Sequence, residues 1–117
     1  MKTLAQDLKL ESLRNKLEII SERNRFGLIA VFLSVDKPLS FSELLDITEL
    51  NPGTLTNHLK KLEDVGIVKK VKKESWKRNE SRSYYSLTKE GLELLNRVGL
   101  GKIKEDLKKW RKGEALT

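Results

Sequence analysis

Residues 51–66 encode a helix together with both of its ends, and this constrains the fold more than any other stretch. Asn51-Pro52 places a side-chain acceptor at the N-cap and a proline at the first helical position, where its missing N–H costs nothing. Leu55, Leu59 and Leu62 follow at i, i+4 and i+7, and Gly66 suits a left-handed stop after about Val65. The helix is therefore apolar along one stripe. Its opposite face carries Gly53, Asn57, Lys60, Lys61 and Asp64.

The neighbouring segments set its context. Leu10, Leu13, Leu17 and Ile20 alternate three and four apart, predicting a first helix with a packing seam. Ser21 is the expected cap of a second helix through Phe26, Leu28, Ile29, Phe32 and Leu33, ended by Pro38. Ser40 with Glu43 forms a capping-box pattern that opens a short third helix stopping near Glu49. Downstream, Ile67 to Glu74 and Arg82 to Leu87 read as two strands joined by a basic loop, a hairpin of about twenty residues. Thr88 then caps a last helix with Leu92, Leu95 and Val98. Beyond Gly99-Leu100-Gly101, where the glycines bend or break it, the stripe resumes at Ile103, Leu107 and Trp110.

These readings give one domain, residues 1–117, that is mainly α with a small β-hairpin in the order α-α-α-α-β-β-α. A core over 22–95 is flanked by helical extensions at 4–21 and 96–112. Two short helices joined by a tight turn, the second polar near its start, are the ingredients of a helix-turn-helix. DNA-binding versions of such a pair lay the second helix in the major groove, with its first turns at base edges and its dipole near phosphate.

Charge agrees with an anionic partner. Of 117 residues, 35% are charged, and 24 Lys and Arg against 17 Asp and Glu leave a net +7. Residues 1–60 hold 8 basic and 8 acidic side chains, so the whole excess lies in the second half. Seven basic groups, Lys69, Lys70, Lys72, Lys73, Lys77, Arg78 and Arg82, fall in the hairpin against Glu74 and Glu80. The candidate DNA contacts are Ser40, Asn51, Gly53, Thr54, Thr56, Asn57, His58, Lys60 and Lys61, and on the hairpin Trp76, Lys77, Arg78 and Arg82. Short Asn and Thr side chains approach bases closely and hydrogen-bond to them or to phosphate, and the cations reach the backbone. His58, set about 60° off the leucine stripe, either packs at the helix boundary or donates to a phosphate.

Absences narrow the chemistry. The chain has no cysteine and one histidine, His58, which excludes thiolate nucleophiles, disulfides and cysteine metal sites. No catalytic motif, Gly-rich phosphate loop or metal-ligand spacing is present, so neither enzyme activity nor a cofactor is expected. With no long apolar run and a polar amino terminus, the expected location is cytoplasmic.

Two stretches resemble the winged helix-turn-helix regulators of the ArsR and MarR type, with the likeness running from about Arg25 to Leu95. Residues 51–68, Asn51 through Val68, look like that family's recognition helix and entry into the wing, including His58-Leu59-x-x-Leu62. Residues 82–91, Arg82 through Gly91, look like its return strand and the Leu87-Thr88-x-x-Gly91 start of its final helix. The resemblance implies a homodimer with recognition helices, here 52–65, in successive major grooves. It also implies that the wings, 67–87, tipped by Trp76, Lys77 and Arg78, lie along the backbone or minor groove. Phe41 to Asp46 lacks the cysteine pair of metal-sensing members, which rules out a thiolate metal switch.

The apolar stripes Leu10, Leu13, Leu17, Ile20 and Ile103, Leu107, Trp110 exceed what a wing domain needs and suit a two-fold interface. Packing of the first helix on the last within one chain is the rival. The expected function is sequence-specific binding of double-stranded DNA as a homodimeric transcriptional regulator. A non-specific architectural DNA coat and a protein-assembly module are the alternatives.

Overall fold

The computed structural model describes residues 10–75 and 80–111. Helix α1 spans Leu10–Ser21, α2 Arg23–Leu33, α3 Phe41–Thr48 and α4 Pro52–Asp64. Strand β1 is Leu39–Ser40, and the hairpin is β2, Val68–Ser75, with β3, Glu80–Leu87. Helix α5 runs over Lys89–Arg97, a 3₁₀ turn over Leu100–Ile103, and α6 over Lys104–Arg111.

Local chemistry accounts for most boundaries. At α3 both halves of the capping box form: Glu43 N donates to Ser40 Oγ and Ser40 N to Glu43 Oε1, each at 3.1 Å. At α4, Thr54 N donates to Asn51 Oδ1 at 2.8 Å with Pro52 at the first helical position. The other end closes as a Schellman turn, with Gly66 at φ 77°, Gly66 N on Glu63 O and Ile67 N on Leu62 O.

Ser21 does not cap α2. It is the last residue of α1, and its hydroxyl turns back to Glu18 O at 2.9 Å. The cap is Glu22, whose carboxylate accepts from Arg25 N at 2.9 Å. A single residue separates the two helices, and a carboxylate there also meets the positive end of the α2 dipole.

The sheet is antiparallel in the order β1-β3-β2. Its short edge strand was absent from the expected element order. Leu39 pairs with Tyr85 and Ser40 with Tyr84, so Ser40 is both a strand residue and the cap of α3. The β2–β3 ladder is regular from Val68↔Leu87 out to Ser75↔Glu80. After α5 the helix does break: Gly99 has φ 94°, and the 3₁₀ turn separates α5 from α6.

Leu28, Ile29 and Leu33 of α2, Leu39, Leu44 of α3, Leu55, Leu59 and Leu62 of α4, Ile67 and Leu95 form the fully buried core. The α4 stripe is thus wholly internal. Ile20 is 4% exposed and belongs to this core, so it is not part of a free α1 stripe: the last turn of α1 leans onto α2 and α4. Leu107 packs against the same core as α6 lies along α2. Leu10, Leu13 and Leu17 stay exposed. Phe26, read as an apolar position of α2, also faces outward.

Candidate nucleic-acid interface

With its leucines buried, α4 presents the rest of its surface outward. Asn51, Gly53, Thr56, Asn57, Lys60 and Lys61 are exposed and Thr54 is half-buried. Small residues fill the first turn, where the backbone N–H groups and dipole favour an anion, and the adjacent cations Lys60 and Lys61 follow about two turns later. Asn51 spends its Oδ1 on the cap and keeps its amide NH₂ as donor. Ser40 is half-buried and its oxygen serves the α3 capping box.

The turn between α3 and α4 is tight. Glu49 caps α3 in the left-handed region at φ 57° and ψ 18°, an unfavourable conformation for a residue other than glycine. The wing starts directly beyond α4, with Lys69 and Lys70 exposed on β2. Lys70 Nζ stands 6.0 Å over the Tyr85 ring. Burial and the nearby Glu63 charge push the Tyr85 hydroxyl above its ordinary pKa. Arg82 lies opposite Lys73 in the ladder. Trp76, Lys77 and Arg78 lie outside the described residues, as do the side chains of Arg82, Ile103 and Trp110.

His58 is in a different position from its neighbours on α4. It is 8% exposed, with Nδ1 3.2 Å from a guanidinium nitrogen of Arg25, so it is held inside the protein rather than offered to phosphate. Arg25, also 8% exposed, donates through Nε to Ile19 O at 2.6 Å and lies 3.9 Å from Glu22 Oε2. The backbone N–H groups of Arg25 and Asn24, with lesser help from the Arg25 charge, hold the Glu22 carboxyl below its usual range. Sequence reasoning gave Arg25 no place in the site. The signal was available: Arg25, Leu28, Ile29, Phe32 and Leu33 fall at i, i+3, i+4, i+7 and i+8, which puts a cation on the apolar face of α2.

Among the described residues no group of His, Asp or Glu is arranged to hold a metal ion, and no helix is long and apolar enough to cross a membrane.

Residues 29–70 match the family model of bacterial regulatory proteins of the arsR family. A search of curated proteins finds no match. Among solved structures, a protein with a GntR superfamily winged-helix-turn-helix domain from Halomicrobium mukohataei superposes with TM-score 0.75 at 21% identity, covering 100% of this chain and 82% of that one. A transcriptional regulator homologue from Pyrococcus horikoshii OT3 has TM-score 0.58 and 29% identity over 74% of this chain and 85% of its own. The homodimeric winged helix-turn-helix DNA-binding domain of a possible ArsR-family regulator from Mycobacterium bovis has TM-score 0.65 and 14% identity, covering 89% and 90%. The helix pair, its polar outer face and the sheet beside it agree with these matches: the chain has the winged helix-turn-helix fold, and its residues 29–70 are similar to the arsR family of bacterial regulatory proteins.

Proposed function

We propose that this chain reads specific double-stranded DNA sites as a homodimer, with α4 in the major groove and the β2–β3 wing on the backbone or minor groove. The observation that carries the reading is the division of α4 into a wholly buried leucine stripe and an exposed face of Asn51, Gly53, Thr56, Asn57, Lys60 and Lys61. That face offers donors and acceptors for base edges and two cations for phosphate. Two more cations, Lys69 and Lys70, are exposed on β2 directly beyond it in the chain.

The division of labour follows from position. Residues 22–95 bind DNA, and the extensions 4–21 and 96–112 join two copies through Leu10, Leu13 and Leu17 with Ile103 and Trp110, while Leu107 is already packed on the core of its own chain. Three exposed leucines on one helix support a second copy as their cover, and the homodimeric Mycobacterium bovis domain is a precedent within the fold.

Selection from random duplexes, followed by a salt titration of the surviving sequence, tests the function. The expected result is an enriched palindrome with half-sites about 10 bp apart or a multiple, bound at least ~10³-fold more tightly than random DNA. Salt-sensitive binding without enrichment would replace this function with an architectural one. Absence of binding at low salt would leave protein assembly.

A further inference from the structure

We infer that Arg25 and His58 are positioning residues for site choice: a buried joint that fixes the roll of α4 against α1 and α2. This rests on the function proposed above. The leucine ridge of α4 holds the helix down, but apolar packing is non-directional and by itself tolerates rotation about the helix axis. A hydrogen bond from a planar guanidinium does not.

Arg25 supplies that direction three ways. Its Nε is on Ile19 O in the last turn of α1, its terminal nitrogen is on His58 Nδ1 of α4, and Glu22 Oε2, the cap of α2, lies 3.9 Å from both Arg25 and His58. All three elements are tied at one buried point. Arginine has no acceptor, so Nδ1 of His58 receives the bond and the ring carries its proton on Nε2. His58 lies one turn above Thr54 on the same helix row, about 40° apart around the axis. Any change in its position is passed directly to the face that meets DNA. At the ~5–6 Å radius of a side-chain-bearing helix, a roll of about 10° moves that face by roughly 1 Å, enough to take a base contact out of hydrogen-bonding range.

The test measures the ratio of affinities for the selected duplex and a random duplex, using the full chain and its His58→Leu, His58→Asn and Arg25→Lys variants. Thermal unfolding is followed in parallel. His58→Leu fills the space without an acceptor and is expected to lower the ratio about tenfold, the worth of roughly one base contact, with non-specific affinity retained. Asn places an amide oxygen near the position of Nδ1 and is expected to restore most of the ratio. Arg25→Lys keeps the charge but loses the fork, and is expected to behave like His58→Leu.

An unchanged ratio in folded His58→Leu or Arg25→Lys would overturn the inference, as would His58→Asn performing no better than Leu. Nitrogen-15 shifts of the His58 ring are a readout that needs no DNA, and a proton on Nδ1 would overturn the joint. A wild-type ratio near one would instead refute the function proposed above, and with it site choice as the purpose of the joint.

Discussion

Replacing Gly91 by alanine sets two physical effects of opposite sign against each other. Gly91 lies in the first turn of α5, buried against the start of the wing. A Cβ there would meet Ile67 O at 2.5 Å and both Ile67 Cα and Thr88 Oγ1 at 3.0 Å. Reaching ordinary contact at 3.4 Å requires Ile67 to retreat by 0.9 Å. Ile67 is backbone pinned on both sides, its N–H on Leu62 O at 3.0 Å and its carbonyl accepting Thr88 N at 2.9 Å. Overpacking against such a neighbour costs about 2–3 kcal/mol, and a weakened backbone hydrogen bond about 1 more. The better helix propensity of alanine returns about 1, leaving a loss of about 2–3 kcal/mol. For 117 residues at ~2.1 cal/mol/K each, Tm should fall by about 8–12 °C. Scanning calorimetry at one fixed protein concentration measures it, since dimerisation would otherwise shift Tm. Helix propensity alone would raise Tm by about 4 °C, so an unchanged or raised Tm refutes the close-packing argument.

Three further expectations concern residues 22–57. Glu49→Gly relieves a left-handed conformation and should stabilise by about 0.5–1 kcal/mol after the entropy of glycine is subtracted, measured by denaturant midpoint at unchanged m. Asn57→Ala or Thr54→Ala should relax base preference by about 1–3 kcal/mol, and equal relative affinities across operator variants would remove those residues from the reading surface. The Ser40 backbone N–H holds the Glu43 carboxyl below its ordinary value of 4.5, as the Arg25 backbone N–H does for Glu22. Depressed folded-state values mean that the stabilisation is complete above pH 4.5 and is lost as pH falls through the folded-state values. Glu43→Gln or Glu22→Gln should therefore flatten the acid limb of a stability–pH curve, and an unaltered limb would count against these caps.

Features written locally were legible in the sequence. Asn51-Pro52, Gly66 and the Ser40/Glu43 pair are complete instructions within a few residues, and α3 and α4 follow them. The β2–β3 hairpin was legible through β-branched and aromatic residues on either side of a polar loop. Strand β1 was not, because two residues show no alternation and their pairing with Tyr84 and Tyr85 lies some 45 positions away. Ile20 and the preceding leucines carry the same seam in sequence, and only the approach of α1 to α2 and α4 separates one covered position from three open ones. His58 and Arg25 are 33 residues apart, so their contact is a product of packing that no spacing rule supplies. The residues on the outer face of α4 were legible as a group, since the buried stripe fixes which side remains.

The two-residue strand β1 also sets how the wing can behave on a curved surface. It braces β3 only at Tyr84 and Tyr85, next to the body of the protein. From Lys72↔Ser83 outward the ladder is a two-stranded ribbon. A ribbon without a third strand twists and bends more readily than a braced sheet. Among the described residues the hairpin is thus braced beside Lys70 and Val71 and is a plain two-stranded ribbon over 72–75 and 80–83. Substitutions over 72–75 and 80–83 should therefore cost little folding stability, so whatever contacts this ribbon makes can change almost independently of the fold that carries it.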